Sequence, residues 1–368
     1  MRRRGNLPPA WLCWEGDCFA PLAMTALILA FSRPMRQSAR KIGGVRRHES
    51  CDGEAMFGYI VRRILATVPV MVVVAIFVFA LLHLSPGDPA AIIAGDNATA
   101  ADIARIRTKL GLDQPLLVQF YDWVGHLVRG DLGISIFTNL PVSQLIAQRV
   151  GPTVALSIST LLISVLVSIP LGVLAAWKAG TWIDRVVMIF AVFGFSVPIF
   201  VLAYVLIYVL AIATNLLPVQ GYVPPQDGIR PFLSHLVMPS IALGITFTAL
   251  IARITRASML DVLAQDYIRT ARAKGLSDER VLLRHALKNA AVPIATIICI
   301  GVALLIGGVV VTETVFAIPG LGRLTVDAIL RRDYPIIQGI ILVFSAAYVV
   351  VNLLVDLSYA ILDPRIRY

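Results

Sequence analysis

Six apolar segments dominate the sequence, and each can cross the roughly 30 Å hydrocarbon layer of a membrane as a helix that rises about 1.5 Å per residue. Their ranges are 64–84, 154–177, 186–212, 236–252, 290–315 and 336–357. Only 15% of the 368 residues are charged, whereas water-soluble proteins carry about 25%. The sequence therefore predicts an all-α polytopic membrane protein with six transmembrane helices.

The distribution of basic residues predicts the side of the membrane on which each loop lies. With residue 56 inside, the predicted inner segments carry 14 Lys and Arg residues, whereas the two short outer loops carry four. Because cytoplasmic loops are enriched in Lys and Arg, we expect both termini in the cytoplasm and a multi-pass chain in the bacterial inner membrane. The same distribution accounts for much of the net charge of +10, so no nucleic-acid partner is needed to explain it.

The first 55 residues differ in character from the rest of the chain. Their one apolar run, 20–31, is too short to span a bilayer, and basic residues follow it where a signal peptide would have a small-residue cleavage site. We therefore expect residues 1–55 to be an N-terminal extension that is untranslated or disordered, with synthesis starting at Met56. The alternative is a targeting role. The membrane domain is predicted over 56–368.

A large outer loop, 85–153, follows the first span. Pro115 precedes apolar residues at helical spacing, from Leu116 to Leu127, and Gly130 marks the end of this amphipathic helix. Its apolar face must pack against a partner. The transmembrane bundle or the lipid headgroups are the expected partners, and a docking surface for an external protein is the alternative.

A second polar loop, 253–289, is predicted inside the cell because its eight basic residues would each cost about 2.5 to 3.5 kcal/mol at the membrane centre. Ser258 with Asp261 forms a capping-box pattern, which predicts a helix that begins there and ends at Gly275. Ser277 is the predicted N-cap of a second helix, and Pro293 is predicted to turn the chain into the fifth span. The loop is thus predicted as helix, glycine turn, helix.

Motifs of several enzyme classes are missing. Gly-Lys occurs nowhere, which excludes a Walker A loop, and neither HExxH nor GxSxG is present. The four cysteines form no CxxC pair, so neither a disulfide framework nor a zinc site is supported. The sequence therefore predicts no catalytic residue, no metal site and no cofactor bound by this chain, and it offers no catalytic constellation for an intramembrane enzyme.

Polar residues inside the spans are few, and a charge in hydrocarbon usually faces a cavity or a partner. The candidates for a pathway or a structural role are Ser196, Glu313, Asn352 and Asp356. Glu313 is predicted near the outer end of the fifth span and Asp356 near the inner end of the sixth, so interfacial placement is an alternative for both. Pro198 predicts a kink or local opening of the third span.

The inner loop resembles the EAA loop of ABC importer permeases, in the branch that transports dipeptides and oligopeptides. The resemblance is carried by DYIRTARAKGL at 266–276 and RHALKNA at 284–290. Similar stretches are LSPGDP at 84–89, GDLG at 130–133, ETVF at 313–316, PGLG at 319–322 and DPRIRY at 363–368. The resemblance extends over 56–368 and is to the B-type membrane subunit of peptide and nickel transport systems.

The resemblance implies a role for the inner loop. In that family a glycine turns between two short helices that sit in a groove of the ATPase subunit. The positions to which this coupling role carries over are Tyr267, Arg269, Thr270, Ala271, Arg272, Ala273, Lys274, Gly275 and Leu276. The general pattern has Glu-Ala-Ala where this chain has Arg269-Thr270-Ala271, which leaves open whether Arg269 makes the contacts of a glutamate.

The resemblance also implies partners. These are a second homologous permease subunit, two ABC ATPase subunits that bind ATP and magnesium, a periplasmic or extracellular substrate-binding protein, and membrane lipid. The expected function is to form half of the pathway for uptake of dipeptides, oligopeptides or related small solutes. The sequence does not choose among dipeptides, longer peptides, glutathione and nickel chelates. An ATP-independent secondary transporter or channel is the alternative, and it would show inverted repeats, broken helices or charged residues at mid-membrane depth.

Overall fold

The computed structural model describes residues 52–84, 90, 99–109 and 113–362. Apart from Asp52, these residues belong to one compact unit, Gly53–Tyr368. The predicted features at 1–51, 85–89 and 363–368 lie outside the described residues. Within the described ranges the regular structure is helical, and Ile134 and Pro141 form an isolated antiparallel bridge.

Twelve α-helices are described, in chain order α1 to α12. Their bounds are Asp52–Leu84, Ala100–Lys109, Leu116–Val128, Val142–Trp177, Trp182–Ser196, Ile199–Leu206, Ile229–Leu263, Asp266–Ala273, Asp278–Arg280, Leu287–Val315, Leu321–Arg331 and Tyr334–Leu362. Two π-helical segments, Ile207–Ala213 and Val281–Ala286, extend α6 and connect α9 to α10. A 3₁₀ turn, Pro225–Asp227, precedes α7.

Four of the described helices are long and apolar enough to cross a membrane. They are Val142–Trp177, Ile229–Leu263, Asp278–Val315 and Tyr334–Leu354. The bent pair Trp182–Ser196 and Ile199–Ala213 supplies a fifth span if it crosses as one unit, and α1 contains a shorter apolar stretch, Leu65–Leu81. The all-α membrane fold is confirmed, and the count of six spans stays a prediction.

The kink predicted at Pro198 is present as a full break between α5 and α6. The two helix axes differ by 105°. Proline has no N–H to donate and disfavours helical geometry in the preceding residue, and Val197 accordingly has an extended ψ of 127°. Ser196 lies at this break, where its exposed hydroxyl donates to the Val192 carbonyl at 2.8 Å.

The core of the bundle is built around α7, which packs against α4, α5, α6 and α10. Small residues bring α4 and α7 close together, since a Cβ added to Gly172 would lie 2.6 Å from the Thr255 Cβ. Hydroxyls bridge the same two helices, with Ser164 donating to the Gly244 carbonyl at 3.1 Å. Close backbone approach with interhelical hydrogen bonds is typical of helix packing in membranes.

The amphipathic helix predicted in the outer loop corresponds to α3, which follows Pro115. Gly130 has a φ of +80° shortly after its end. Two aromatic side chains of α3 pack on Phe79 of α1, and their ring centroids lie 5.3 Å from that of Phe79 for Phe120 and 5.9 Å for Trp123. One face of α3 therefore contacts the bundle.

Two details predicted for the inner loop are wrong. No helix begins at Ser258, because α7 continues to Leu263 and keeps Met259 fully buried against the end of α4. Pro293 does not turn the chain, since it lies inside α10. Ala290 and Ile294 on either side of this proline are buried in one apolar cluster, and these contacts stabilise the continuous helix.

Candidate functional site

The inner loop is organised around a glycine turn at the end of α8. Gly275 has a φ of +80°, and its N–H donates to the Arg272 carbonyl at 2.9 Å. The N–H of Leu276 donates to the Ala271 carbonyl at 3.3 Å, which completes a Schellman motif. A Cβ at position 275 would meet no atom within 4 Å. The turn therefore favours glycine for its backbone conformation, and there is space for a side chain.

The inner face of α8 is anchored to the bundle. Ile268 is fully buried and Ala271 is nearly so, in an apolar cluster with Met259 of α7 and Ile294 of α10. Leu276, just after the turn, packs partly against the same cluster. These contacts fix the short helix on the ends of the two long helices.

The opposite surface of α8 is polar and exposed. This surface, called here the α8 outer face, consists of Tyr267, Arg269, Thr270, Arg272, Ala273 and Lys274. Arg269 is 76% exposed and lies 3.5 Å from Asp266. Arg272 lies 3.7 Å from Asp278 across the glycine turn. The α8 outer face thus offers cations and a tyrosine to an external partner.

Both ends of α8 connect to long helices with little slack. On one side Ala264 and Gln265 alone separate it from α7. On the other side Ser277 precedes a continuous helix, Asp278–Val315, which includes the π-helical segment. Asp278 and Glu279 occupy the first turn of that helix, where the macrodipole favours anions. A displacement of α8 would therefore act directly on two apolar helices.

Glu313 lies at the far end of α10 and is completely buried. Its carboxylate accepts a hydrogen bond from the Thr153 hydroxyl at 2.5 Å and one from the Arg323 N–H at 3.0 Å. The Thr153 hydroxyl in turn accepts from the Leu321 N–H at 2.8 Å. The first N–H groups of α11 are thus satisfied by side chains of two other helices, as helix N-termini require.

The other polar candidates are scattered. Asn352 is half-buried on α12, and the side chain of Asp356 on the same helix lies outside the described part. Among the side chains that the structure describes, no hydrogen bond or ion pair joins Ser196, Glu313 and Asn352. The described residues also contain no group of three His, Cys, Asp or Glu that could hold a metal ion.

Two charged residues that the sequence pattern does not single out form an ion pair, and one of them, Arg256, lies within the range predicted for the inner loop. Asp184 on α5 and Arg256 on α7 are joined by two hydrogen bonds, at 2.5 Å and 2.7 Å. The available signal was an aspartate at the start of an apolar segment together with an arginine just beyond another. Their pairing spans 72 positions of sequence, so no local pattern reveals it.

Comparison with known proteins places the chain among transport proteins. Residues 168–368 match the family described as "Binding-protein-dependent transport system inner membrane component", and residues 56–157 match the N-terminal part of such components. A probable peptide ABC transporter permease of Sinorhizobium fredii is 54% identical over 310 residues, which cover 84% of this chain and 99% of the relative.

A glutathione transport system permease of Salmonella choleraesuis is 44% identical over 313 residues, which cover 85% of this chain and all of the relative. Among solved structures, an inward-facing methionine ABC transporter aligns with a TM-score of 0.49 and 16% identity. That alignment covers 60% of this chain and 97% of the other.

Proposed function

Since this chain belongs to the family of binding-protein-dependent transport system inner membrane components, we propose that it forms half of a transmembrane pathway for peptide uptake. It is a membrane permease subunit of an ABC importer and not an enzyme. The peptide assignment is supported by the two relatives, whose names specify peptide and glutathione, itself a small peptide-like solute. We expect the substrate-binding protein to select among such solutes.

The proposed assembly contains this chain, a second homologous permease, two ABC ATPase subunits and an external substrate-binding protein. ATP and magnesium would bind to the ATPase subunits, since the sequence lacks a Walker A loop. We propose that residues 56–368 form the permease domain, which is supported by the family matches that begin at residue 56. Both termini are proposed to be cytoplasmic, as supported by the excess of basic residues in the inner segments.

The coupling role proposed for 253–289 rests on one structural observation. The short α8 is buried on one face and exposed on the other, and it is joined closely to α7 and α10. We propose that the α8 outer face contacts an ATPase subunit and that Gly275 sets its orientation. Closure of the ATPases would then displace α8, and the displacement would shift the transmembrane helices between two states.

Within the described part of the chain, the break between α5 and α6 is a feature that the alternative, an ATP-independent transporter, also predicts. A broken helix serves either mechanism and does not decide between them, so family membership is what favours the importer.

The outer loop, 85–153, is proposed to face the binding protein.

Reversing the charge of Arg269 tests the proposed contact. In Arg269→Glu we expect the affinity for the ATPase subunits to fall about tenfold or more, equivalent to about 1.4 kcal/mol, because an exposed cation of the α8 outer face becomes an anion. The measurement is the amount of ATPase subunit that co-purifies with the tagged chain at increasing salt.

Arg185→Glu is the matched control. Arg185 is an exposed arginine on the same predicted side of the membrane but outside α8, so co-purification should be unchanged. Equal recovery of ATPase with wild type and Arg269→Glu would contradict the proposed contact.

A further inference from the structure

The ion pair between Asp184 and Arg256 is built with directional contacts. Arg256 donates from Nε to Asp184 Oδ1 at 2.5 Å and from Nη2 to Oδ2 at 2.7 Å. The backbone N–H of Gly180 donates to the same Oδ2 at 2.9 Å. The aspartate side chain is only 6% exposed and the arginine side chain 25%. A two-pronged contact of this kind fixes the relative orientation of its partners.

Burial argues for a positioning role over a contribution to stability alone. Removing most of the two side chains from water offsets part of their attraction, so such an ion pair is weak evidence for stability, and fixing one arrangement is its better attested use. Arg256 faces α5 directly from α7, since it contacts the first turn of that helix through Asp184. The pair therefore specifies how α5 lies on α7.

A second contact between the same helices lies farther along them. The Thr246 hydroxyl of α7 donates to the Gly194 carbonyl of α5 at 3.3 Å. A Cβ on Gly194 would lie 2.9 Å from the Ile245 side chain, so the helices touch here. Gly194 follows Asp184 by ten residues, and Arg256 follows Thr246 by ten residues. Two contacts with equal spacing on antiparallel helices fix one register.

Along α7 and α5, the ion pair lies between α8 and the broken span. Arg256 lies seven residues before the end of α7, about 10 Å along the helix axis, and α8 follows directly. Asp184 lies about 20 Å along α5 from the break at Val197. We propose that Asp184 and Arg256 are positioning residues that make α5 move with α7, so that displacement of α8 reaches the α5–α6 break. This inference rests on the proposed function.

The test uses the complete transporter, with its ATPases and binding protein, reconstituted in liposomes. Peptide uptake and ATP hydrolysis are measured on the same preparation for Arg256→Lys, Asp184→Asn, R256D and the exchanged pair D184R/R256D. Arg256→Lys keeps the charge but loses the planar fork. We expect Arg256→Lys and Asp184→Asn to assemble and hydrolyse ATP, with peptide uptake per ATP reduced about tenfold. Uptake per ATP in the exchanged pair should be at least threefold higher than in R256D alone.

Arg185→Lys is the matched control, because Arg185 is exposed on the same helix, adjacent to Asp184. Its uptake per ATP should equal that of wild type. Wild-type coupling in Arg256→Lys and Asp184→Asn would overturn the inference, as would a loss of assembled complex with uptake per ATP unchanged in what remains.

Failure of the inference can be told apart from failure of the proposed function. If wild type couples uptake to ATP and a Gly275 variant does not, while the Asp184 and Arg256 variants remain coupled, only the inference fails. If the wild-type complex shows no ATP-dependent uptake, the proposed function itself fails.

Discussion

Replacing Gly275 with proline should abolish the proposed peptide uptake while the protein remains in the membrane. Proline fixes φ near −65°, whereas the turn has a φ of +80° at this position. The substitution also removes the N–H that donates to the Arg272 carbonyl. A penalty of about 3 kcal/mol corresponds to about a 100-fold loss of the coupling conformation. The measurement is uptake at matched membrane levels, with ATP hydrolysis by the purified complex.

The outer loop offers a matched control in Gly130. It has the same φ of +80°, its N–H donates to a carbonyl three residues earlier, and a Cβ there would meet no atom within 4 Å. In Gly130→Pro, the amount of peptide transported per ATP hydrolysed should equal that of wild type. Gly275→Ala should have a smaller effect than proline, since alanine tolerates the left-handed region at a cost of about 1 to 2 kcal/mol. Wild-type uptake in Gly275→Pro would exclude the coupling role.

Replacing Gly322 with alanine should destabilise the end of the bundle at which α10 meets α11. The added Cβ would lie 2.6 Å from the Val310 Cα, a backbone atom that cannot rotate away. The start of α11 must then move from α10, which stretches the hydrogen bond from the Arg323 N–H to the Glu313 carboxylate. Overpacking and weakened hydrogen bonds together outweigh the helix preference for alanine, which is about 1 kcal/mol. We therefore expect the free energy of unfolding to fall by about 3 kcal/mol.

The measurement for Gly322→Ala is thermal unfolding of the purified protein in mild detergent, with the amount of folded protein recovered from membranes. We expect the midpoint to fall by about 5 to 10 °C. Gly307→Ala is the control within α10, because its added Cβ would meet nothing within 4 Å. An unchanged midpoint for Gly322→Ala would show that the contact between α10 and α11 is looser than described.

Features with local causes could be predicted from the sequence. Apolar length predicted the four described helices that are long enough to span a membrane. Pro198 predicted a kink in the third span, which the structure shows as a break, because proline acts on its own turn of helix. Gly275 indicated a left-handed helix end from its position after an amphipathic segment.

Features that depend on distant contacts could not be predicted. The capping pattern at Ser258 suggested a new helix, but burial of Met259 against α4 carries α7 past it. Glu313 could be placed near a span end, whereas its hydrogen bond to Thr153 joins residues 160 positions apart. The pairing of Asp184 with Arg256 could not be predicted for the same reason, since the two residues are far apart in the sequence. One sequence specifies local geometry, but packing decides where a helix ends and which charges meet.

We propose that this chain transports peptides only as part of an assembly driven by separate ATPases. Native mass spectrometry of the tagged chain, expressed with its neighbouring genes and purified in mild detergent, is the direct test. We expect a complex containing one copy of this chain, a second permease and two ATPase subunits. A lone chain or a homo-oligomer, from a preparation shown to contain the ATPases, would contradict it.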